Sequence, residues 1–325
     1  MAALHLGTHV RLRMELWVSL GILFVVAVLP AMVTNSYWQG VVIVSMYFAM
    51  LAAAWNLLAG YTGQFSLAPA TFGMIGAYVT GLLAYRYGGT ALVGIPAAIV
   101  VSGGIGLVLG RIVMRLRGPY LALTTLSFAE IMRLVISNSI EITRGDLGLN
   151  VPGIFYDRLP YYYMMLAVLI AMQVGLYYLL RSRAGLYLRA IRDDEIAAAS
   201  RGVKIVWWKT YAFTLSAAMS GLAGALYAHF AQFVSPELGL ISQTGIIISM
   251  VVIGGLGTLV GPIGAAFLVY VASEFLRDFG GYQLVVFALL VIIFGRFFRE
   301  GLWGLLLLAL GGKRSQPAVM QPAAE

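Results

Sequence analysis

The chain has 325 residues, 61% of them hydrophobic and 10% charged, with a mean hydropathy of +0.91 and a formal net charge of +8. A soluble domain devotes about 25% of its residues to charge because its surface faces water, so this composition excludes an ordinary soluble enzyme and requires lipid around much of the exterior. The absence of cysteine excludes disulfides, thiol catalysis and Cys-ligated zinc or iron–sulfur centres.

In lipid every backbone polar group needs an internal partner, which leaves helices or a closed barrel. The apolar runs here are roughly 17–22 residues long, whereas a barrel alternates over segments of about ten. The expected fold is therefore all-α, a polytopic membrane helix bundle. Arg11 and Arg13 precede a first span at 16–33, which is longer than a signal-peptide core and has no small-x-small cleavage site after it. Further spans are predicted at 39–59, 66–85, 90–110, 119–138, 160–181 and 206–231. Shorter apolar stretches at 242–258, 263–276 and 282–296 bring the expected number to about ten. Residues 1–312 read as one transmembrane domain and 313–325 as a disordered tail.

The basic residues follow a topological pattern rather than a nucleic-acid-binding one. With the N-terminus inside, the inner segments collect Arg11, Arg13, Arg111, Arg115, Arg117, the cluster from Arg181 to Lys209, and Arg296 to Arg314. The outer segments hold only Arg86, Arg144, Arg158 and Arg277. This positive-inside bias predicts cytoplasmic N- and C-termini. The histidines are His5, His9 and His229. His5 and His9 suit a tail near lipid headgroups better than a metal site, and no metal site is expected.

Between spans two and three, Gly60, Gly63, Ser66 and Pro69 interrupt apolar sequence. Gly254, Gly255, Gly257, Gly261 and Pro262 do so between spans eight and nine. Such breaks serve as tight turns and close-packing points, or as irregular backbone lining a solute path. Gly255-x-Gly257-x-x-x-Gly261 lacks the dinucleotide-binding spacing, and Gly311-Gly-Lys-Arg lacks the Walker pattern, so no ATP site is expected on this chain. In span five, Glu130 and Arg133 lie near mid-membrane at a spacing that allows pairing. Ionised groups at that depth normally pair or face a cavity. With Ser127 and Ser137 they form a polar stripe expected to face the protein interior, as a structural pair or as part of the path.

The stretch from Arg183 to Gly202 is polar, and its Ala, Arg, Leu and Glu favour a short helix outside the bilayer, at about 184–202, closed by Gly202. About 2–8 residues would suffice to connect two spans. Composition alone is compatible with either a solvated loop or a surface for a soluble partner.

This segment resembles the cytoplasmic coupling loop of ATP-binding-cassette (ABC) importer permeases, whose pattern is Glu-Ala-Ala, three residues, then Gly. Ala197, Ala198 and Gly202 keep the spacing, but Ile196 takes the Glu place and Glu195 stands one earlier. That variant is similar to the branched-chain amino-acid permease branch. Asn56-Leu-Leu-Ala-Gly-Tyr-Thr-Gly-Gln-Phe-Ser-Leu67, Arg117-Gly-Pro-Tyr-Leu-Ala-Leu-Thr-Thr-Leu126 and Gly254-Gly-Leu-Gly-Thr-Leu-Val-Gly-Pro262 resemble the same branch. The matches extend from about Trp55 to Leu268. One departure is Ala68-Pro69-Ala70, where that branch is expected to carry Gly-His-Ala.

The resemblance implies a permease subunit, not an enzyme, in a bacterial inner membrane. Its partners would be a homologous second permease, two cytoplasmic ATP-binding subunits and a periplasmic solute-binding protein. ATP and Mg would sit on the ATPase partners, with no cofactor held by this chain. Gly185, Arg189, Arg192, Asp194, Glu195, Ala197, Ala198 and Gly202 would couple to the ATPase. Gly60, Gly63, Gln64, Ser66, Glu130, Arg133, Gly254, Gly257 and Gly261 would serve permeation or gating. The expected solutes are branched-chain or other hydrophobic amino acids, with urea, amides or other amino acids as alternatives. Ion-coupled secondary transport, a different class, would need intramembrane acids beyond Glu130. No catalytic Ser/His/Asp or paired-Asp set appears at membrane depth.

Overall fold

The computed structural model describes residues 2–32, 35–116, 118–276, 301 and 304. The helices are α1 (Ala2–Met32), α2 (Ser36–Thr62), α3 (Pro69–Tyr87), α4 (Ala91–Val113), α5 (Pro119–Asn138), α6 (Ile140–Thr143), α7 (Arg158–Arg181), α8 (Arg183–Asp193), α9 (Glu195–Ser200), α10 (Ile205–Ala231), α11 (Ile241–Gly254) and α12 (Gly261–Phe275). The predicted span at 282–296 and the predicted tail at 313–325 lie outside the described residues.

Local chemistry sets several boundaries. Asn35 caps α2 by accepting from Tyr37 N–H at 2.9 Å, and Gly63 ends it at φ 70°, a left-handed geometry that favours glycine. α3 and α5 open on Pro69 and Pro119, where a missing N–H costs nothing. Among the described residues, five segments are long and apolar enough to cross a membrane: Leu12–Ala31 within α1, then α2, α4, α5 and α7. α3 and α10, of 19 and 27 residues, match the predicted third and seventh spans.

The eighth and ninth predicted spans become two short helices. α11 has 14 residues and α12 has 15, or roughly 21–23 Å each against a hydrocarbon core of about 30 Å. They pack on each other across a break at Gly255 (φ 114°) and Gly257 (φ 75°). Backbone of this kind is tolerated at membrane depth only where protein or a cavity surrounds it.

α2 is the central pillar. Its apolar window is 89% buried, against 22% for α5 and 28% for α4, as befits a helix that is apolar all round. α10 packs against α3 on one side and α4 on the other through small residues. A Cβ on Gly76 would stand 2.1 Å from Gly221 O, and one on Gly224 would stand 1.8 Å from Gly73 O. Toward α4, a Cβ on Gly106 would meet Ala217 Cβ at 2.5 Å, and one on Gly221 would meet Ser102 Oγ at 2.3 Å. Main chain therefore touches main chain between α3 and α10, the close approach that small residues permit in membranes.

At the opposite end from α8–α9, a two-residue ribbon pairs β1 (Leu149–Asn150) with β2 (Phe233–Val234). His229 pins this region. Its Nδ1 lies 2.9 Å from Pro152 O and its Nε2 lies 2.9 Å from Thr80 Oγ1. The carbonyl can only accept, so Nδ1 carries the proton and Nε2 accepts from the threonine. His229 is a satisfied core histidine.

Candidate coupling site

The α8–α9 segment is helical, as expected, but divided. Asp194 adopts an extended conformation (φ −158°, ψ 111°), and its Oδ1 accepts from Ile196 N–H at 2.8 Å and Ala197 N–H at 3.0 Å. The single predicted helix is thus two, because an aspartate inside a good helix-forming run satisfies more backbone donors as a cap. Gly185 makes the corner between α7 and α8, where a Cβ would stand 2.4 Å from Leu180 O. Arg189 staples that corner, donating from Nη2 to Leu180 O at 2.6 Å and from Nε to Gly185 O at 3.2 Å.

Arg192 reaches out of the segment. Its Nη1 donates to Gly60 O at 2.5 Å, on the last turns of α2. The same nitrogen fills the space where a Cβ on Gly257 would stand, 2.4 Å away, and that Cβ would also lie 2.9 Å from Gly60 O. One guanidinium therefore touches both glycine breaks. Glu195 ties a second point: its Oε1 accepts from Gln64 Nε2 at 3.2 Å and forms an ion pair with Lys209 of α10. Lys209 is only 1% exposed. Breaking such a buried pair by removing one partner typically costs about 3–5 kcal/mol.

The two breaks are also joined directly. Asn56 of α2 accepts from Gly257 N–H at 2.9 Å through Oδ1 and donates to Thr258 O at 2.8 Å through Nδ2. Glu15 of α1, 2% exposed, accepts from Leu259 N–H at 3.0 Å. Within the second break, Thr258 Oγ1 donates to Gly255 O at 2.8 Å and accepts from Gly261 N–H at 3.2 Å. Gly254 and Gly261 face each other there, a Cβ on Gly254 standing 2.1 Å from Gly261 O. In the first break, Trp55 Nε1 donates to Ser66 O at 2.7 Å, and Thr125 Oγ1 of α5 accepts from Leu67 N–H at 2.9 Å. Several groups of this irregular backbone are thus paired by side chains from α1, α2 and α5, as buried polar groups generally are.

Of the residues singled out in the sequence, Gly60, Gly63, Gln64, Gly257, Arg192 and Glu195 converge on this junction. A Cβ on Gly63 would meet Arg192 Cα at 3.6 Å. Ser66 belongs to the adjacent strut to Trp55. Gly202 (φ 82°) ends α9 on the surface, with no atom within 4 Å of a Cβ there. Ala197 is exposed and Ala198 buried, and Ile196 stands 72% exposed between Glu195 and Ala197.

Glu130 and Arg133 lie apart from the junction. They do pair, Arg133 Nε donating to Glu130 Oε2 at 3.1 Å. Their predicted inward orientation is not found: Ser127 and Glu130 are exposed on this chain, with the Glu130 side chain 48% accessible. α5 instead turns Leu121, Thr125, Ala129 and Ile136 inward, because that stripe offers apolar bulk and one hydroxyl useful to Leu67. Asn56, Glu15, Thr258 and the Lys209–Glu195 pair were not singled out by sequence reasoning. The available signal was a polar side chain inside an otherwise apolar run, which marks a functional or structural partner at membrane depth.

Apolar helices joined by small residues, together with glycine-broken ones pinned by buried polar side chains, define a class: a polytopic α-helical membrane protein. Residues 37–295 match the family model described as "Branched-chain amino acid transport system / permease component". The chain is 34% identical over 279 residues to the high-affinity branched-chain amino acid transport system permease protein LivM of Salmonella typhimurium, covering 77% of this chain and 66% of the relative. It is 33% identical over 279 residues to the protein of the same name from Escherichia coli, with the same coverage. A probable branched-chain amino acid transport permease protein, LivH, of Methanocaldococcus jannaschii is 25% identical over 78% of this chain and 87% of the relative. The chain thus spans slightly less than two thirds of the length of the two bacterial relatives. No solved structure matches it. The chain belongs to the branched-chain amino acid transport permease family, whose matching members are named as transport permeases rather than enzymes.

Proposed function

We propose that the chain is a permease subunit of an ATP-driven ABC importer for branched-chain or other hydrophobic amino acids, in a bacterial inner membrane with both termini cytoplasmic. In this reading it works with a homologous second permease, two cytoplasmic ATP-binding subunits that hold ATP and Mg, and a periplasmic solute-binding protein. The observation that carries the reading is the reach of Arg192 from α8 to Gly60 O, beside Gly257. A surface segment bonded into both breaks can pass displacement to them.

The parts take distinct roles. Exposed Ile196 and Ala197, next to the Gly202 turn, offer an apolar knob to the ATPase. Asp194 and the Arg189 staple keep α8 and α9 stiff, so that a push is not lost in the loop. Arg192, Gln64 and Glu195 carry that push to the ends of α2 and α11, and Lys209 carries it to α10. The outward-facing stripe of α5, with its neutralised Glu130–Arg133 pair, meets the second permease and borders the path between the two subunits. A hydrophobic solute needs little net charge along such a route.

The test is uptake into vesicles holding the assembled complex. ATP-dependent leucine uptake should persist when proton and sodium gradients are collapsed, and Arg192→Gln should reduce it at least tenfold while the ATP-binding subunits still co-purify. Uptake that needs an ion gradient and ignores ATP would assign the chain to secondary transport. Uptake of urea or an amide in place of leucine would keep the mechanism and change the solute.

A further inference from the structure

We infer that the groove between the adjoining ends of α4 and α10 binds the headgroup of an anionic phospholipid. The groove has a volume of about 590 Å³, and its lining includes Arg111, Arg115, Lys204, Trp207, Thr210 and Tyr211. Arg111 closes α4, Arg115 lies in the turn after it, and Lys204 caps α10. All three cations are exposed, and no acidic residue lines the groove. Among the described residues none of the three side chains has a hydrogen bond or ion pair. Arg189, Arg192, Arg133 and Lys209, by contrast, are each bonded to a carbonyl or a carboxylate.

Two further features point to a phosphate ester with tails. Thr210 lines the groove, and its hydroxyl is buried without a partner in this chain, the residue being 5% exposed. A buried hydroxyl left unpaired costs about 1–3 kcal/mol, so a ligand oxygen there is favoured. Trp207 and Tyr211 stack with centroids 5.9 Å apart and planes 5° apart, the amphipathic pairing found where a membrane meets water. Beyond them the outer face of α4 is bare and apolar: Val108 is 64% exposed and Ile112 67%. A free phosphate would meet the cations but leave that wall uncovered. An acyl chain lies along it naturally, and basic pockets between spans on the cytoplasmic side are where anionic headgroups bind.

The placement at the inner leaflet rests on the orientation proposed above. Lipid retention by the purified chain does not, so the two can fail separately.

The experiment is native mass spectrometry and lipid extraction on the full chain, purified in mild detergent from membranes containing phosphatidylglycerol and a zwitterionic phospholipid. The wild-type chain should retain phosphatidylglycerol selectively, and excess inorganic phosphate should not displace it. Arg111→Gln, Arg115→Gln and Lys204→Gln should each weaken retention about fivefold, with Thr210→Val weakening it further and none altering the elution profile. Equal retention by wild type and variants, equal retention of the zwitterionic lipid, or displacement by phosphate would each overturn the assignment.

Discussion

Asn56 grips the α11–α12 break with both ends of one amide, accepting from Gly257 N–H at 2.9 Å and donating to Thr258 O at 2.8 Å. The two partners are adjacent in sequence, so the amide plane fixes the direction of the peptide between them. Its fit leaves no spare space: a Cβ on Gly60, one turn along α2, would lie 2.1 Å from Asn56 Oδ1. Replacing Asn56 by Leu strands a buried donor and a buried acceptor at about 1–3 kcal/mol each. The thermal midpoint in detergent should fall by several degrees and leucine uptake should be lost. Asn56→Asp keeps the acceptor and should give an intermediate midpoint. A leucine variant as stable as wild type would remove the clasp from the account.

Arg192 provides a sharper test because it does not hold the bundle together. Arg192→Lys keeps the charge but lacks the planar reach to touch Gly60 O and the Gly257 edge together. The melting midpoint should stay within about 2 °C, whereas ATP hydrolysis by the assembled complex should become uncoupled from uptake. The ratio of leucine moved to ATP hydrolysed reads this directly. An unchanged ratio would show that force travels by another route.

Close packing of α10 makes predictions by size alone. Gly224→Ala and Gly76→Ala force a methyl group into neighbouring main chain, and overpacking of this kind costs about 1–3 kcal/mol or more. Gly104→Ala and Gly175→Ala, with nothing within 4 Å of the added carbon, should be neutral. Fluorescence-detected elution after heating would rank the four.

The Glu130–Arg133 pair should behave asymmetrically. An unpaired charge at mid-membrane costs about 2.5–3.5 kcal/mol on insertion scales, so Glu130→Gln or Arg133→Gln alone should lower the yield of inserted protein. The double variant should recover most of it. A double-mutant cycle on thermal midpoints measures the coupling, and additivity of the single effects would mean that the pair is not formed in the membrane.

The surface of α9 separates docking from folding. Ala197 is exposed and Ala198 is 5% exposed. Ala197→Trp should therefore leave the melting midpoint unchanged while abolishing co-purification of the ATP-binding subunits. Ala198→Trp should lower the midpoint itself. Normal co-purification of the Ala197 variant would place the contact elsewhere.

The span layout was legible because hydrophobic length and basic asymmetry are local properties, and seven predicted spans correspond to α1 through α5, α7 and α10. The shortness of α11 and α12 was only partly legible. Gly255 and Gly257 announce a break, but not that apolar sequence on both sides stops short of crossing. The split at Asp194 was masked by the strong helix formers around it. Lys209 was read only as part of an inner basic cluster, since its partner Glu195 becomes visible only once α9 folds back on α10. Asn56 and Glu15 act on partners 201 and 244 positions away, and no periodicity encodes that. The α5 stripe was found but turned the wrong way, because one chain's sequence does not say which of two interiors, its own or a shared one, a polar face seeks.

Main-chain contact on the α3 side of α10 and near-contact on the α4 side also limit how the molecule can rearrange. Helices that meet through long side chains can slip by exchanging rotamers; helices that meet bare have nothing to exchange. α3, α10 and α4 thus make a single stiff plank. In the proposed import cycle, opening one side of the membrane and sealing the other would come from tilting that plank against the rest, with Lys209 as the handle at its edge.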